Sequence, residues 1–328
     1  MKLAAWCRVL LALFLSAATL FAQQEPFRLR VEVALVNVDV VVADDQGRFV
    51  AGLERKSFRI FEDGVEQEIT HFASTEAPLT LALLVETSPA VYLIRYDYLV
   101  ALYALLDQLK PDDAVALARY DQRWQLVCDF TRDKALLYQR LRTSDYALGM
   151  AELNLFDALA HSVDWLAPLA ARKSLLLITT GLDTRSQTSW PVLQEKVHRS
   201  DLTVFAVATG SLLRQPNPGE EQRQRGKKKK AEPLADFEAA FAEADARLRL
   251  LAEESGGRAY FPRSDAELAA AYEELGRRLR HTYSLGYVPS NRARNGSYRR
   301  IQVELVGDDG RPLPYRLSAR RGYFAPQK

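Results

Sequence analysis

The chain has 328 residues, 48% of them hydrophobic and 26% charged, with 44 Lys and Arg against 42 Asp and Glu. A net charge of +2 creates no global field to draw a polyanion, and two cysteines exclude a disulfide-stapled scaffold. Length and apolar content allow one large core plus a smaller one, and beyond residue 22 no segment approaches the ~20 consecutive apolar residues of a membrane span.

At the start, Lys2 and Arg8 precede an uncharged, mostly apolar run over residues 9–21, and Ala22 stands before Gln23. This is the pattern of a secretory signal peptide over residues 1–22. The alternative is an uncleaved anchor, which the shortness of the run opposes. An exported protein is therefore expected, periplasmic or extracellular, with no membrane span after cleavage. Removal of residues 1–22 takes Lys2, Arg8 and Cys7 and no acid, leaving 42 basic residues against 42 acidic ones. Cys128 is then alone in a strand-like run and reads as core packing.

Residues 27–42 alternate with the period of a half-buried strand, and the apolar set slips by one at Leu35-Val36, which predicts a bulge or bend there. Two further strands, 58–60 and 66–72, flank the Asp63-Gly64 hairpin signal. The rhythm then changes. Apolar strands at 81–85, 114–120, 125–130, 174–179 and 202–208 alternate with helical patterns at 92–109, 153–169, 236–254 and 265–281, with a short strand at 258–261. That alternation predicts an α/β fold with a doubly wound, mostly parallel sheet. The end returns to strands at 283–288, 299–306 and 315–320, with Asn295-Gly296 and Asp309-Gly310 as turn signals. Neither end has enough strands to close a core, so both are expected to combine into one β-sandwich-like module with the α/β domain inserted between them. The expected boundaries are 23–76 for the first β-module, 77–282 for the α/β domain and 283–328 for the strands that complete the module. Residues 215–232 lack apolar periodicity, carry a lysine run and read as a mobile basic loop. Without nearby aromatic stacking groups it is not a nucleic-acid site.

Leu81–Ala90 reads LALLVETSPA, a strand running directly into Glu86, Thr87, Ser88, Pro89 and Ala90, and a later strand ends in Ile178-Thr179-Thr180-Gly181-Leu182-Asp183. This order resembles the von Willebrand factor type A fold. More closely, residues 27–326 resemble the von Willebrand factor A-related secreted proteins of acidobacteria, through LVNVDVVV, FRIFEDG and EQEITHF near the start and YSLGYVPSN and ARRGYFAP near the end. The resemblance implies a metal-ion-dependent adhesion site whose first loop has the form Asp-x-Ser-x-Ser, with a Thr from a second loop and an Asp from a third. Carried onto this chain, those positions hold Glu86, Ser88, Ala90, Leu153 and Thr180, so only Ser88 is unchanged. Mg²⁺ asks for near-octahedral oxygens at about 2.0–2.1 Å, and one added methylene displaces a carboxylate by about 1.5 Å. A degenerate site is expected, with no metal cofactor and at most weak Mg²⁺ or Mn²⁺ binding.

What remains is a polar rim of Glu86, Thr87, Ser88, Asn154, Thr180 and Asp183. Two readings of it stand side by side: a ligand surface, or hydroxyls of Thr87 and Ser88 capping a helix that begins near Pro89. Catalysis is not expected. The first strand-to-helix turn has no glycine-rich loop, Ser88 is not in a Gly-x-Ser-x-Gly elbow, and His71, His161, His198 and His281 have no metal-ligand spacing. The expected function is a secreted or periplasmic, non-enzymatic protein-interaction module of adhesion type, with a protein partner in the envelope or outside the cell. The alternatives are a structural envelope component without a specific ligand and a metal-dependent binder with a rearranged site.

Overall fold

The computed structural model describes residues 35–73, 78–143, 146, 152–169, 172–214 and 231–327. The expected signal peptide, the first half of the expected strand 27–42 and the loop at 215–230 lie outside these. In chain order the elements are β1 (Val36–Ala43), β2 (Phe58–Glu62), β3 (Val65–Gln67), β4 (Ile69–Ala73), β5 (Thr80–Glu86), α1 (Pro89–Leu93), α2 (Arg95–Asp107), β6 (Ala114–Tyr120) and β7 (Trp124–Thr131). There follow α3 (Lys134–Arg142), α4 (Leu155–Leu166), β8 (Lys173–Thr179), α5 (Trp190–Arg199), β9 (Thr203–Ala208), α6 (Gly210–Leu213), α7 (Ala231–Glu254), β10 (Ala259–Tyr260) and α8 (Asp265–Arg280). β11 (Thr282–Tyr287), β12 (Tyr298–Leu305), β13 (Arg316–Ala319) and β14 (Gly322–Phe324) complete the chain.

Six strands form the central sheet in the order β10-β9-β8-β5-β6-β7. All pairs are parallel except β6 with β7. Successive residues of a strand face opposite sides, so β5 sends Leu81, Leu83 and Val85 into one layer and Ala82 and Leu84 into the other. The first layer packs α2, α3 and α8 over the sheet; the second packs α4, α5 and α7. The strand direction of growth reverses between β5 and β8, which makes a topological switch point at their C-terminal ends.

The remaining strands form two antiparallel sheets, β13-β1-β11-β4 and β14-β12-β2-β3. In both, strands from the start of the chain lie beside strands from its end: β1 sits between β11 and β13, and β2 pairs with β12. Val36, Val38, Val40 and Val42 of β1 meet Ile60, Tyr283, Leu285, Ile301 and Tyr323 in one shared core. The ends thus close a sandwich that neither could build alone, within the same compact unit as the α/β layer.

Several sequence expectations need correction. The run 66–72 is two strands in two sheets, because the chain turns the corner of the sandwich after Gln67; Gln67 and Ile69 are both buried, so their period gave no sign of the switch. The helical run 92–109 begins at Pro89, is broken at Ile94, where Arg95 Nη1 donates to the Tyr92 carbonyl (3.0 Å), and ends at Asp107. α7 starts at Ala231 rather than 236, while α3, α5 and β14 had not been read at all. The Asp63-Gly64 signal is a two-residue hairpin turn with both φ angles positive, 49° and 84°.

Candidate functional site

β5 ends at Glu86 and β8 at Thr179, so the switch point gathers the residues that follow each strand. Glu86 is fully buried, and four hydroxyls and one backbone N–H surround its carboxylate. Ser88 Oγ donates to Oε1 (2.6 Å), the Thr180 N–H to Oε2 (2.7 Å), and Thr180 Oγ1 lies 2.9 Å from Oε2 and 3.1 Å from Oε1. Thr179 Oγ1 and the Tyr120 hydroxyl stand 2.9 and 3.1 Å from Oε2 and 2.6 Å from each other. Burial, and then the nearby Glu86 charge, push the Tyr120 phenol well above its ordinary value, so it stays a neutral donor. Among the described residues no cationic side chain pairs with Glu86. Hydrogen bonds alone offset its desolvation.

The loops around the carboxylate are held by their own geometry. Ser88 also caps α1, accepting from the Val91 N–H (3.3 Å), with Pro89 in the first helical position. Thr87 has no capping role; its N–H and Oγ1 both donate to the Tyr120 carbonyl, at 2.9 and 3.2 Å. After β8 the chain turns at Gly181 with φ 84°, and a Cβ there would lie 2.9 Å from Leu248 Cδ1. Only glycine fits that turn without strain.

Of the six rim residues, the structure brings Glu86, Ser88 and Thr180 together and sends the other three elsewhere. Asp183 reaches across to the start of α4, accepting from the Phe156 N–H (3.0 Å) and from Ser186 Oγ (2.5 Å). Asn154 donates from Nδ2 to the Gln122 carbonyl (3.0 Å). Leu153 is buried and pairs with Thr184 through its backbone, its N–H donating to Thr184 Oγ1 (2.7 Å). Asp157 completes this lacing by accepting from the N–H groups of Gln187 (2.9 Å) and Thr188 (2.8 Å). Burial opposes its ionisation, but those hydrogen bonds hold its carboxyl below the ordinary value. Sequence reasoning missed Tyr120, Thr179 and Asp157. The first two occupy the last positions of β6 and β8, where their strand ends flank the switch point, and that placement was the available signal.

A divalent cation does not fit these residues. Ala90 and Leu153 offer no side-chain oxygen, and the lone pairs of Glu86 are engaged by donors of the chain itself. Among the described residues, no group of three or more His, Cys, Asp or Glu side chains is placed to hold a metal ion. The four histidines are dispersed: His71 is exposed, His161 lies tilted against Trp124, His281 stacks on Phe49, and His198 meets Glu254 at 2.9 Å. Cys128 is half-buried and packs against the first core layer, and burial raises its thiol above the ordinary value.

Beside the site, α1 and α2 turn an apolar stripe to solvent. Leu93, the last residue of α1, and Tyr96 and Val100, one turn apart on α2, are 77%, 69% and 68% exposed. Arg95 lies over the rings of Tyr92 (3.9 Å) and Tyr96 (4.6 Å). Among the described residues no helix is long and apolar enough to cross a membrane.

No protein-family model matches this chain, and no curated protein matches it. Solved structures to which it is similar include an aerotolerance-related membrane protein from Bacteroides fragilis, at 14% identity and a TM-score of 0.46 over 61% of this chain and 98% of that one. A von Willebrand factor type A protein from Catenulispora acidiphila matches at 12% identity and a TM-score of 0.44, over 82% and 75% of the two chains. The vWF domain of the type V pili tip protein Mfa5 from Porphyromonas gingivalis matches at 18% and 0.30, over 34% and 40%. Likenesses this distant concern arrangement alone; this chain spans under half of the pilus-tip domain.

Proposed function

We propose that this chain is an exported, non-enzymatic protein-interaction module that recognises its partner without a metal ion. The observation that carries this reading is the Glu86 carboxylate, whose oxygens are taken up by Ser88, Tyr120, Thr179 and Thr180 at the place where this kind of sheet offers a ligand crevice. A site closed in this way supplies rigidity to the loops around it and leaves recognition to the surface beside it. The exposed stripe of Leu93, Tyr96 and Val100 supports a protein as partner, because solvent-facing apolar and aromatic side chains grouped together favour protein contact. Export follows from residues 1–22, as their charge and hydropathy pattern is that of a signal peptide.

The test is retention from an envelope extract on the immobilised mature chain, run in Mg²⁺ and in EDTA, beside the triple variant Leu93→Ser, Tyr96→Ser, Val100→Ser. Stoichiometric retention of one protein, equal in both buffers and lost in the variant, is the expected result. Retention lost in EDTA would replace this reading by metal-bridged recognition. Absence of any specific retention would favour a structural envelope component.

A further inference from the structure

A cavity of about 580 Å³ lies at the opposite end of the central strands from Glu86, between their N-terminal edge and the outer face of the β13-β1-β11-β4 sheet. Its roof includes Thr80, Lys173 and Thr203, the first residues of β5, β8 and β9. The floor follows from the alternation of β1: Val36, Val38 and Val40 enter the sandwich core, so Asn37 and Asp39 face the other way. Strand register sets Asn37 and His71 on either side of Gly286, and Asp39 and Ala73 on either side of Ser284. A Cβ at Gly286 would stand 3.0 Å from His71 Cβ and 3.3 Å from Asn37 Oδ1, so the glycine leaves a notch between an amide and an imidazole. The side chains of Asn37, His71 and Ser284 make no hydrogen bond among the described residues.

The charges on the walls do not cancel. Asp39 is matched by Arg172 (3.0 Å), and Asp201 by Lys173 (2.7 Å), whose Nζ also donates to the carbonyls of Ala167 and Leu169. That leaves Asp112 against Arg132 and Arg320. Arg132 is exposed and reaches only the Asp112 carbonyl (3.3 Å). Arg320 donates to the carbonyls of Gly322, His198 and Ser200 and forms no ion pair among the described residues. Burial lowers its guanidinium below the ordinary value, with partial relief from Asp201. A cation held by carbonyls and the Tyr323 ring (6.0 Å), with no carboxylate paired to it, gains from an anion brought to it. The volume falls within the range of small-molecule sites, and most of the lining residues are polar or charged, which favours an occupant with polar groups.

We infer that this cavity binds a small hydrophilic anion, a carboxylate or phosphate monoester, held by Arg320 and Arg132 and read by Asn37, His71 and Ser284. It is independent of the surface around α1 and α2. Calorimetric titration and thermal melting of the full chain with inorganic phosphate, succinate and glucose test it, beside the variants Asn37→Ala and His71→Ala. Those two side chains hold no other part of the chain, so both variants should melt like the parent. The expected result is saturable binding of phosphate, succinate or both, with affinity reduced roughly tenfold in each variant. Binding of one anion alone supports the site and assigns its chemistry. No binding of either anion at about 10 mM, glucose binding as tightly as the anions, or affinity unchanged in both variants would overturn it.

Discussion

Glu86 carries the tension of this molecule in one side chain: a carboxylate without exposure and without a cation, stabilised by hydroxyls of its own chain. Removing it is expected to cost more than its volume, because the buried N–H of Thr180 and at least one of the Thr179 and Tyr120 hydroxyls, which are left with only each other, lose their acceptor together. Glu86→Ala should destabilise by about 3 kcal/mol or more in denaturant melts, since each stranded buried donor costs about 1–3 kcal/mol. Glu86→Gln should cost less, about 1–2 kcal/mol. The Thr180 N–H cannot reverse, so the amide oxygen must occupy the Oε2 position and its NH₂ must face Ser88 Oγ and Thr180 Oγ1, which can rotate to accept. Equal losses for the two variants would mean that the carboxylate charge, rather than the acceptor geometry, holds the loops.

At the scale of elements, β12 shows how the C-terminal strands are locked into the sandwich. Arg299 on β12 and Glu62 on β2 form an ion pair at 3.0 Å, with both side chains almost wholly buried. Tyr287 and Tyr323 each donate to Glu62 Oε2 at 2.8 Å, and the guanidinium also donates to the Asn291 and Ala293 carbonyls. Four strands from three stretches of the chain therefore meet at one charge pair. Arg299→Met should destabilise the fold by about 3–5 kcal/mol, because it leaves Glu62 as an uncompensated buried charge and frees two carbonyls. Glu62→Gln should also be costly, because setting its one amide oxygen on the two phenols turns the NH₂ toward the Arg299 guanidinium, which then stays buried without a counter-charge. Urea midpoints of the two variants decide this, and a loss under about 1 kcal/mol for Arg299→Met would show the pair to be solvated.

At the scale of the whole molecule, buried phenols give the fold an alkaline limit. Burial pushes Tyr138, Tyr146 and Tyr323 up to about 12, Tyr260, Tyr272 and Tyr287 further still, and Tyr120 well above its ordinary value. Their folded values lie above the unfolded value near 10, so the stability they contribute is complete below pH 10 and is lost as pH rises through the folded values. Each fully buried phenol should remove about 1.4 kcal/mol per pH unit across that window. Unfolding should become cooperative with phenolate absorbance, and melts at about pH 11 should fall well below those at about pH 9. Phenolate appearing gradually, with the fold intact, would show that these rings are reached by solvent.

The amino-acid sequence by itself determined the class of fold and the loops that follow β5 and β8. Short continuous apolar runs such as LLLIT at 175–179 and TVFAVA at 203–208, rich in β-branched residues, read as strands covered on both faces, and their alternation with helical patterns argues a layered α/β sheet. The turn at Asp63-Gly64 and the cap at Ser88 were legible for the same reason: each is set by one or two residues acting on their neighbours. What only the tertiary structure decided depends on groups distant in the chain. Whether Glu86 faces a ligand or folds inward turns on Thr179 and Thr180, more than ninety positions away, and on Tyr120 from a third strand. Asp183 left the rim because the first turn of α4 presented an unsatisfied N–H within its reach, a competition no local pattern records. The corner after Gln67 was hidden because a strand changing sheets keeps its period of two while exchanging every partner. Local backbone preference and hydrophobic period are properties of short stretches, whereas the satisfaction of a buried polar group is a property of whatever the fold brings beside it.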